Sequence, residues 1–243
     1  MEATFHATEW AALRALDGVL PIPTPSPRER FVLDGWHGLV MSRLQGEELA
    51  ERWTDIPLDN QIDLGREVGE ALSVLHEQEP PPEIPRVDWP RWVAERESTL
   101  VDTQRARGCR EDWLEQIPSL LKGSDLRAGP MGWLHTEIMR EHLLVERVAD
   151  RWRLSGVFDF EPSWVGPRDY ELCSVGLFVS GGQSKVFGAV LERLRREKGP
   201  ALPPRCLAMT LMHRYCNLPW YARRLGTPEG STLLDCAEQW FGC

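Results

Sequence analysis

The 243 residues, 42% of them hydrophobic, suffice for a buried core in one large domain or two modest ones. A formal net charge of −9 disfavours a general nucleic-acid binder, whose phosphate contacts need surplus Lys and Arg, and disfavours anionic membranes. No run of about 18 apolar residues is available for a membrane span, and residues 1–6 lack the basic and apolar blocks of a signal peptide, so a cytoplasmic location is the default expectation.

The same acidity is compatible with a cationic small substrate. Six cysteines are scattered without a Cys-x-x-Cys pair or zinc-finger histidines, the pattern of reduced, mostly buried thiols rather than a structural zinc site. Eleven tryptophans are enough to furnish core and cleft walls alike. Only three lysines occur, Lys122, Lys185 and Lys198, so the first half of the chain has none.

In chain order, residues 8–17 suit a helix with Thr8 as N-cap, Trp10, Leu13 and Leu16 on one face, and Gly18 as its stop. The prolines at 21, 23, 25 and 27 impose an extended segment. Residues 30–33 and 38–44 read as two strands joined by a turn at Asp34-Gly35. A short helix is expected over 47–53 and a long one over 58–77, with Leu64, Val68, Leu72 and Leu75 forming a core stripe. Residues 80–90 form a proline-rich loop, and 92–121 carry a helical pattern interrupted near Gly108. Beyond a turn at Gly166-Pro167, helices are expected over 172–178, 185–197 and 204–224. The Gly181-Gly182 pair lacks P-loop spacing and receives no phosphate role.

Chemistry concentrates in residues 132–160, where His135, Glu137, His142 and Asp159 stand among apolar residues. Residues 143–145 and the alternating return through Trp152, Leu154 and Val157 predict a β-hairpin turning at Ala149-Asp150. Folding back brings Asp159 near the loop that carries Glu137 and His142. Two carboxylates and an imidazole there can bind a metal or move a proton; the pattern alone equally suits polar residues at strand ends.

Kinase-type catalytic loops read His-x-Asp, four residues, Asn, then a hairpin and a metal-holding Asp. Here the frame reads His135-Thr136-Glu137, four residues, His142, a hairpin and Asp159. The chain thereby resembles the aminoglycoside phosphotransferase family of small-molecule kinases. Asp159-Phe160-Glu161 is similar to that family's Asp-Phe-Glu element, and Gly166 to Leu172 resembles a later segment in which Glu171 takes the acidic position and steadies the catalytic loop from behind. Residues 40–46 look like the strand between the lobes, and Leu72 to His76 like a Leu-x-x-Leu-His helix end.

The resemblance implies a protein-kinase-like α+β fold, with a truncated small lobe and linker over 1–46 and a mostly helical large lobe over 47–243. It implies ATP as phosphoryl donor, Mg²⁺, and a small hydroxylated, in some members cationic, acceptor. Glu137 becomes the hydroxyl-orienting catalytic group, with His135 beside it and tending to hold backbone. His142 and Asp159 become metal ligands, Met41, Ser42 and Arg43 line the nucleotide pocket, and residues 213–224 border the substrate. Glu9 becomes the helix acid that pairs with a strand lysine, for which the chain has no candidate before Lys122. Three departures stand out: Glu137 for Asp, His142 for Asn and Thr136 for Gly. They leave open a catalytically silent kinase-fold module, or missing strands supplied by an upstream segment or a partner chain.

Overall fold

The computed structural model describes residues 2–127 and 129–243. Helix α1 runs Glu2–Leu16 and begins before the expected Thr8 cap, because no Gly or Pro interrupts this stretch. Ala12, Leu13 and Leu16 bury one face of it. The proline-rich segment after it is non-helical and docks by its Pro23 carbonyl, which accepts from the Val157 amide at 3.0 Å.

Strands β1 (Pro27–Leu33) and β2 (Trp36–Met41) pair antiparallel around Asp34 and Gly35, whose φ values of +51° and +83° suit a two-residue hairpin turn. The expected strand to residue 44 stops at Met41. Ser42 then binds Ser26 twice, donating its amide to the Ser26 carbonyl at 2.9 Å and accepting the Ser26 amide on Oγ at 2.8 Å. The helix expected over 47–53 is shorter: Glu47 and Glu48 form β3, paired with Val145 and Leu144, before α2 (Leu49–Arg52) and a 3₁₀ turn at Trp53–Asp55.

Helix α3 spans Leu58–Glu77, the predicted limits, and buries Leu64, Val68, Leu72 and Leu75. Asp88 caps α4 (Trp89–Ala106) by accepting from the Arg91 amide at 3.2 Å. Short helices α5 (Glu111–Leu114) and α6 (Ile117–Gly123) follow. Strand β4 (Met131–Leu134) pairs with β7 (Trp164–Pro167), so Gly166-Pro167 lies in a strand rather than the expected turn. Between them, β5 (Leu143–Val148) and β6 (Arg151–Val157) make the predicted hairpin, with Ala149 and Asp150 both at positive φ.

The C-terminal part is helical. Helix α7 (Glu171–Ser174) continues as a π-helical stretch, Val175–Ser180, and α8 (Ser184–Arg193) follows. The single helix expected over 204–224 is two, α9 (Leu202–Met212) and α10 (Leu218–Leu225). The break has a local cause: Asn217 caps α10 through the Trp220 amide at 3.1 Å, and Pro219 opens its first turn. Fully buried Gln104 of α4 fixes the break, donating to the Cys216 carbonyl at 2.9 Å and accepting the Leu218 amide at 3.0 Å. Helix α11 (Leu233–Phe241) closes the chain under a Thr232–Asp235 capping box. No helix among the described residues is long and apolar enough to cross a membrane.

Candidate active site

Strand β4 delivers the chain into the loop 135–142, and the loop is held from behind. The carboxylate of Glu171, wholly buried at the start of α7, accepts the His135 amide at 2.8 Å and the Thr136 amide at 2.9 Å. Two charge-assisted bonds to adjacent amides fix the loop's backbone more firmly than neutral partners would. Thr136 sits at φ +75°, a left-handed conformation in which β-branched residues are outliers, and its hydroxyl donates to the Pro162 carbonyl at 3.2 Å. The Glu171 bonds and this one hold the strained residue in place.

His135 is fully buried, and its Nε2 lies 3.0 Å from the Phe158 carbonyl. Its Nδ1 faces the Glu137 amide at 3.4 Å, and burial pushes its pKa down, so the ring is the neutral Nε2–H form. With both nitrogens on backbone groups it joins the loop to the segment before Asp159.

Glu137, His142 and Asp159 do come together. The 3₁₀ turn Arg140–His142 presents the His142 ring, whose Nδ1 donates to the Glu137 carbonyl at 2.8 Å and whose Nε2 lies 3.1 Å from Asp159 Oδ2. Asp159 stands at φ +68°, just past β6, with its side chain 39% exposed. The Glu137 carboxyl is half-buried, and burial raises its pKa above the ordinary glutamate range, against the lowering effect of Arg214. It faces a largely apolar cavity of about 220 Å³ lined by Phe178, His213, Tyr215 and Tyr221. The π-helical stretch contributes Phe178, and the break between α9 and α10 contributes His213 and Tyr215.

A second opening, the cleft, measures about 490 Å³. Met41, Ser42 and Arg43 line it, Leu144 and Phe158 form apolar wall, and Glu47, Glu48 and Glu51 add carboxylates. Of the residues expected at the site, Met41, Ser42 and Arg43 line the cleft, Glu137 and His213 line the cavity, His135 and His142 lie in the loop 135–142, and Asp159 meets that loop through His142. Among the described residues no group of three or more His, Cys, Asp or Glu side chains could hold a metal ion.

Two cations escaped the sequence pattern. Arg140, within the loop itself, lies over the Trp53 ring at 3.7 Å and donates to the Val179 carbonyl at 2.8 Å, tying the loop to the π-helical stretch. Burial, with Arg224 nearby, lowers its pKa to about 10. Its place in the loop was a usable signal. Arg214, the charge that acts on Glu137, sits in the irregular link after α9, and no periodicity marks it.

Glu9 of α1 also reaches the site. It is 9% exposed, and its carboxyl is pushed up to about 8, chiefly by burial and then by Asp159 and Glu161, with the Phe160 amide as its hydrogen-bond donor. Its Oε2 is buried without a hydrogen-bond partner. The resemblance implied a strand lysine as the partner of Glu9; the donor present is the Phe160 backbone amide.

A model of the phosphotransferase enzyme family matches residues 5–207. The chain belongs to that family. No curated protein matches it in sequence. Among solved structures, the GDP and kanamycin complex of APH(2'')-IIia is similar with a TM-score of 0.74 at 15% identity, over 97% of this chain and 82% of that one. The streptomycin-ATP-APH(2'')-IIa ternary complex gives 0.60 at 14% identity, over 96% and 84%. The apoenzyme of macrolide 2'-phosphotransferase MphH from Brachybacterium faecium gives 0.60 at 16%, over 98% and 80%. The fold of this family member is kinase-like and α+β, with α1 and the β1–β2 hairpin first in the chain and mostly helical structure after them.

Proposed function

We propose that the chain transfers the γ-phosphoryl group of ATP to a hydroxyl of a small molecule in a reaction that needs a divalent cation. The observation that carries this reading is the linked set Glu137, His142 and Asp159: His142 bonds the Glu137 backbone carbonyl at 2.8 Å and lies 3.1 Å from Asp159, while Glu137 lines the cavity. ATP lies in the cleft against Met41, Ser42 and Arg43, and the acceptor lies in the cavity. The acceptor oxygen forms the new bond to phosphorus, the bond to the ADP oxygen breaks, and Glu137 takes the hydroxyl proton. A raised carboxyl pKa makes it a stronger base than an exposed glutamate. Relatives of the same fold captured with kanamycin and GDP, or streptomycin and ATP, support a nucleotide and a small polar acceptor here. The net charge of −9 favours cationic acceptors, and free, mostly buried cysteines suit a cytoplasmic enzyme.

The cation's donors would be Asp159 and His142, and its chemistry would be charge neutralisation of the phosphates. The donor set fits. Neighbouring ligand atoms of an octahedral ion with bonds near 2.1 Å lie roughly 3.0 Å apart, close to the 3.1 Å between His142 Nε2 and Asp159 Oδ2. The Nδ1 bond to the Glu137 carbonyl leaves the Nε2 lone pair for the ion. Nitrogen serves Mn²⁺ better than Mg²⁺, so Mn²⁺ is expected to support nucleotide binding more strongly, and His142→Asn to reverse that order.

A second reading, a nucleotide-binding module without turnover, draws on Glu9, which has the Phe160 amide for a partner in a chain with no lysine before Lys122. Calorimetry with ATP and either cation, together with turnover on aminoglycosides and amino alcohols, separates the two. Asp159→Ala should abolish the cation-dependent part of binding. Glu137→Ala should bind ATP normally while losing about 100-fold or more in turnover. Binding without turnover on any acceptor supports the silent module, and no nucleotide binding at all sinks both.

A further inference from the structure

Neither the cleft nor the cavity accounts for a third hollow, of about 480 Å³, between the C-terminal end of α3 and the segment that follows α8. Arg168, Arg195 and Arg196 wall it, together with His76, Glu77 and Asp169. Its volume falls within the roughly 300–1,000 Å³ of small-molecule sites.

The charges around it do not balance. Buried Asp169 holds both Arg196, at 2.7 Å, and Arg205, at 2.6 Å. Glu77 holds Arg168 at 2.6 Å. Three guanidinium groups, Arg168, Arg195 and Arg196, thus line the hollow against two carboxylates, Glu77 and Asp169, and Asp169 is shared with Arg205, so the lining is net positive in a chain whose net charge is −9.

Its unsatisfied groups are nitrogens. Arg196 Nε is buried without a hydrogen-bond partner, and so is Nε2 of His76, a residue only 5% exposed. That Nε2 lies 3.7 Å from Glu171, beyond hydrogen-bond reach. Arg195 stands at φ +53° at the rim, exposed, with no side-chain hydrogen bond or ion pair among the described residues. Guanidinium forks suit planar or tetrahedral oxyanions, and Arg195 has its whole fork available at the rim.

The geometry points to a binding site, separate from the phosphotransfer site, for a compact oxyanion, carried as a phosphate or as paired carboxylates. Arg195 and Arg196 clamp the anion from the rim, and Arg168 and His76 complete the wall.

Isothermal titration of the full chain with inorganic phosphate and, separately, succinate tests this, each against sodium chloride at matched ionic strength. At least one dianion should bind one to one, and the one that binds identifies its chemistry. Arg195→Gly, which keeps the left-handed backbone, should weaken binding about tenfold, the loss of one charge-assisted contact. Asp159→Ala should bind the anion as wild type does. The site is overturned if neither dianion binds, if chloride reproduces the heat, or if Arg195→Gly holds the dianion that binds as tightly as the unaltered chain does.

Discussion

At the scale of single residues, Glu9 is an acid whose surroundings oppose its charge. Its carboxyl rises from an ordinary 4.5 to about 8, because burial and two neighbouring carboxylates oppose its charge. The sign of the linkage follows: a raised pKa stabilises the fold fully below the unfolded value, and that stabilisation is lost as pH rises through the folded one. Between pH 4.5 and 8 the wild type should therefore lose on the order of 2–4 kcal/mol. Glu9→Gln keeps an acceptor for the Phe160 amide and removes the charge. Its Tm should match wild type near pH 5 and exceed it by roughly 5–12 °C at pH 8.5, measured by thermal denaturation across pH. Parallel curves for the two proteins would show that Glu9 carries no such strain. The spacing of His135, Glu137, His142 and Asp159 was legible because the loop and hairpin fix it within one stretch of chain. The protonation of Glu9 was not, because it depends on carboxylates some 150 positions away that only the fold brings near.

At the scale of elements, α3 shows what an apolar stripe can and cannot tell. Leu64, Val68, Leu72 and Leu75 announced the helix and its core face, and the limits 58–77 follow from them. The partner helix is chosen by two residues that carry no hydrophobic signal. A Cβ built on Gly65 would come within 2.9 Å of the Val186 carbonyl, and one on Gly69 within 2.6 Å of the Val190 carbonyl, so α8 packs backbone against backbone. Alanine is normally worth about 1 kcal/mol more than glycine within a helix. Here the gain should be outweighed: Gly69→Ala is expected to cost a net 1–3 kcal/mol, as overpacking does, with an unchanged urea m-value. A stabilised variant would mean that α8 yields freely. The missed break at 213–217 has the same origin as the missed glycines. Its determinants are the Asn217 cap and buried Gln104, a polar residue more than 100 positions away that leaves no periodic trace.

At the scale of the whole molecule, the two hairpins share a local grammar and differ in what covers them. Asp34-Gly35 and Ala149-Asp150 both turn through positive φ, and every strand of the two hairpins carries apolar residues. Yet β5 and β6 bury Leu143, Val145, Leu154 and Val157, whereas β1 and β2 leave Val32, Leu33 and Trp36 62–72% exposed. Short apolar segments on either side of a turn give the strands of either hairpin, and tertiary packing alone decides which one becomes core. A two-stranded ribbon with little cover is marginally stable in water, so stability should be uneven along the chain. In hydrogen exchange of the full chain, amides of 27–41 should exchange first, well before those of β5, β6 and α9. Because Met41 ends this ribbon and lines the cleft, ATP should slow exchange at the β2 end more than at the Asp34-Gly35 turn. Equal protection of both hairpins without nucleotide would mean that the β1–β2 ribbon is covered in solution. Uniform slowing by ATP would separate the cleft from the ribbon's dynamics.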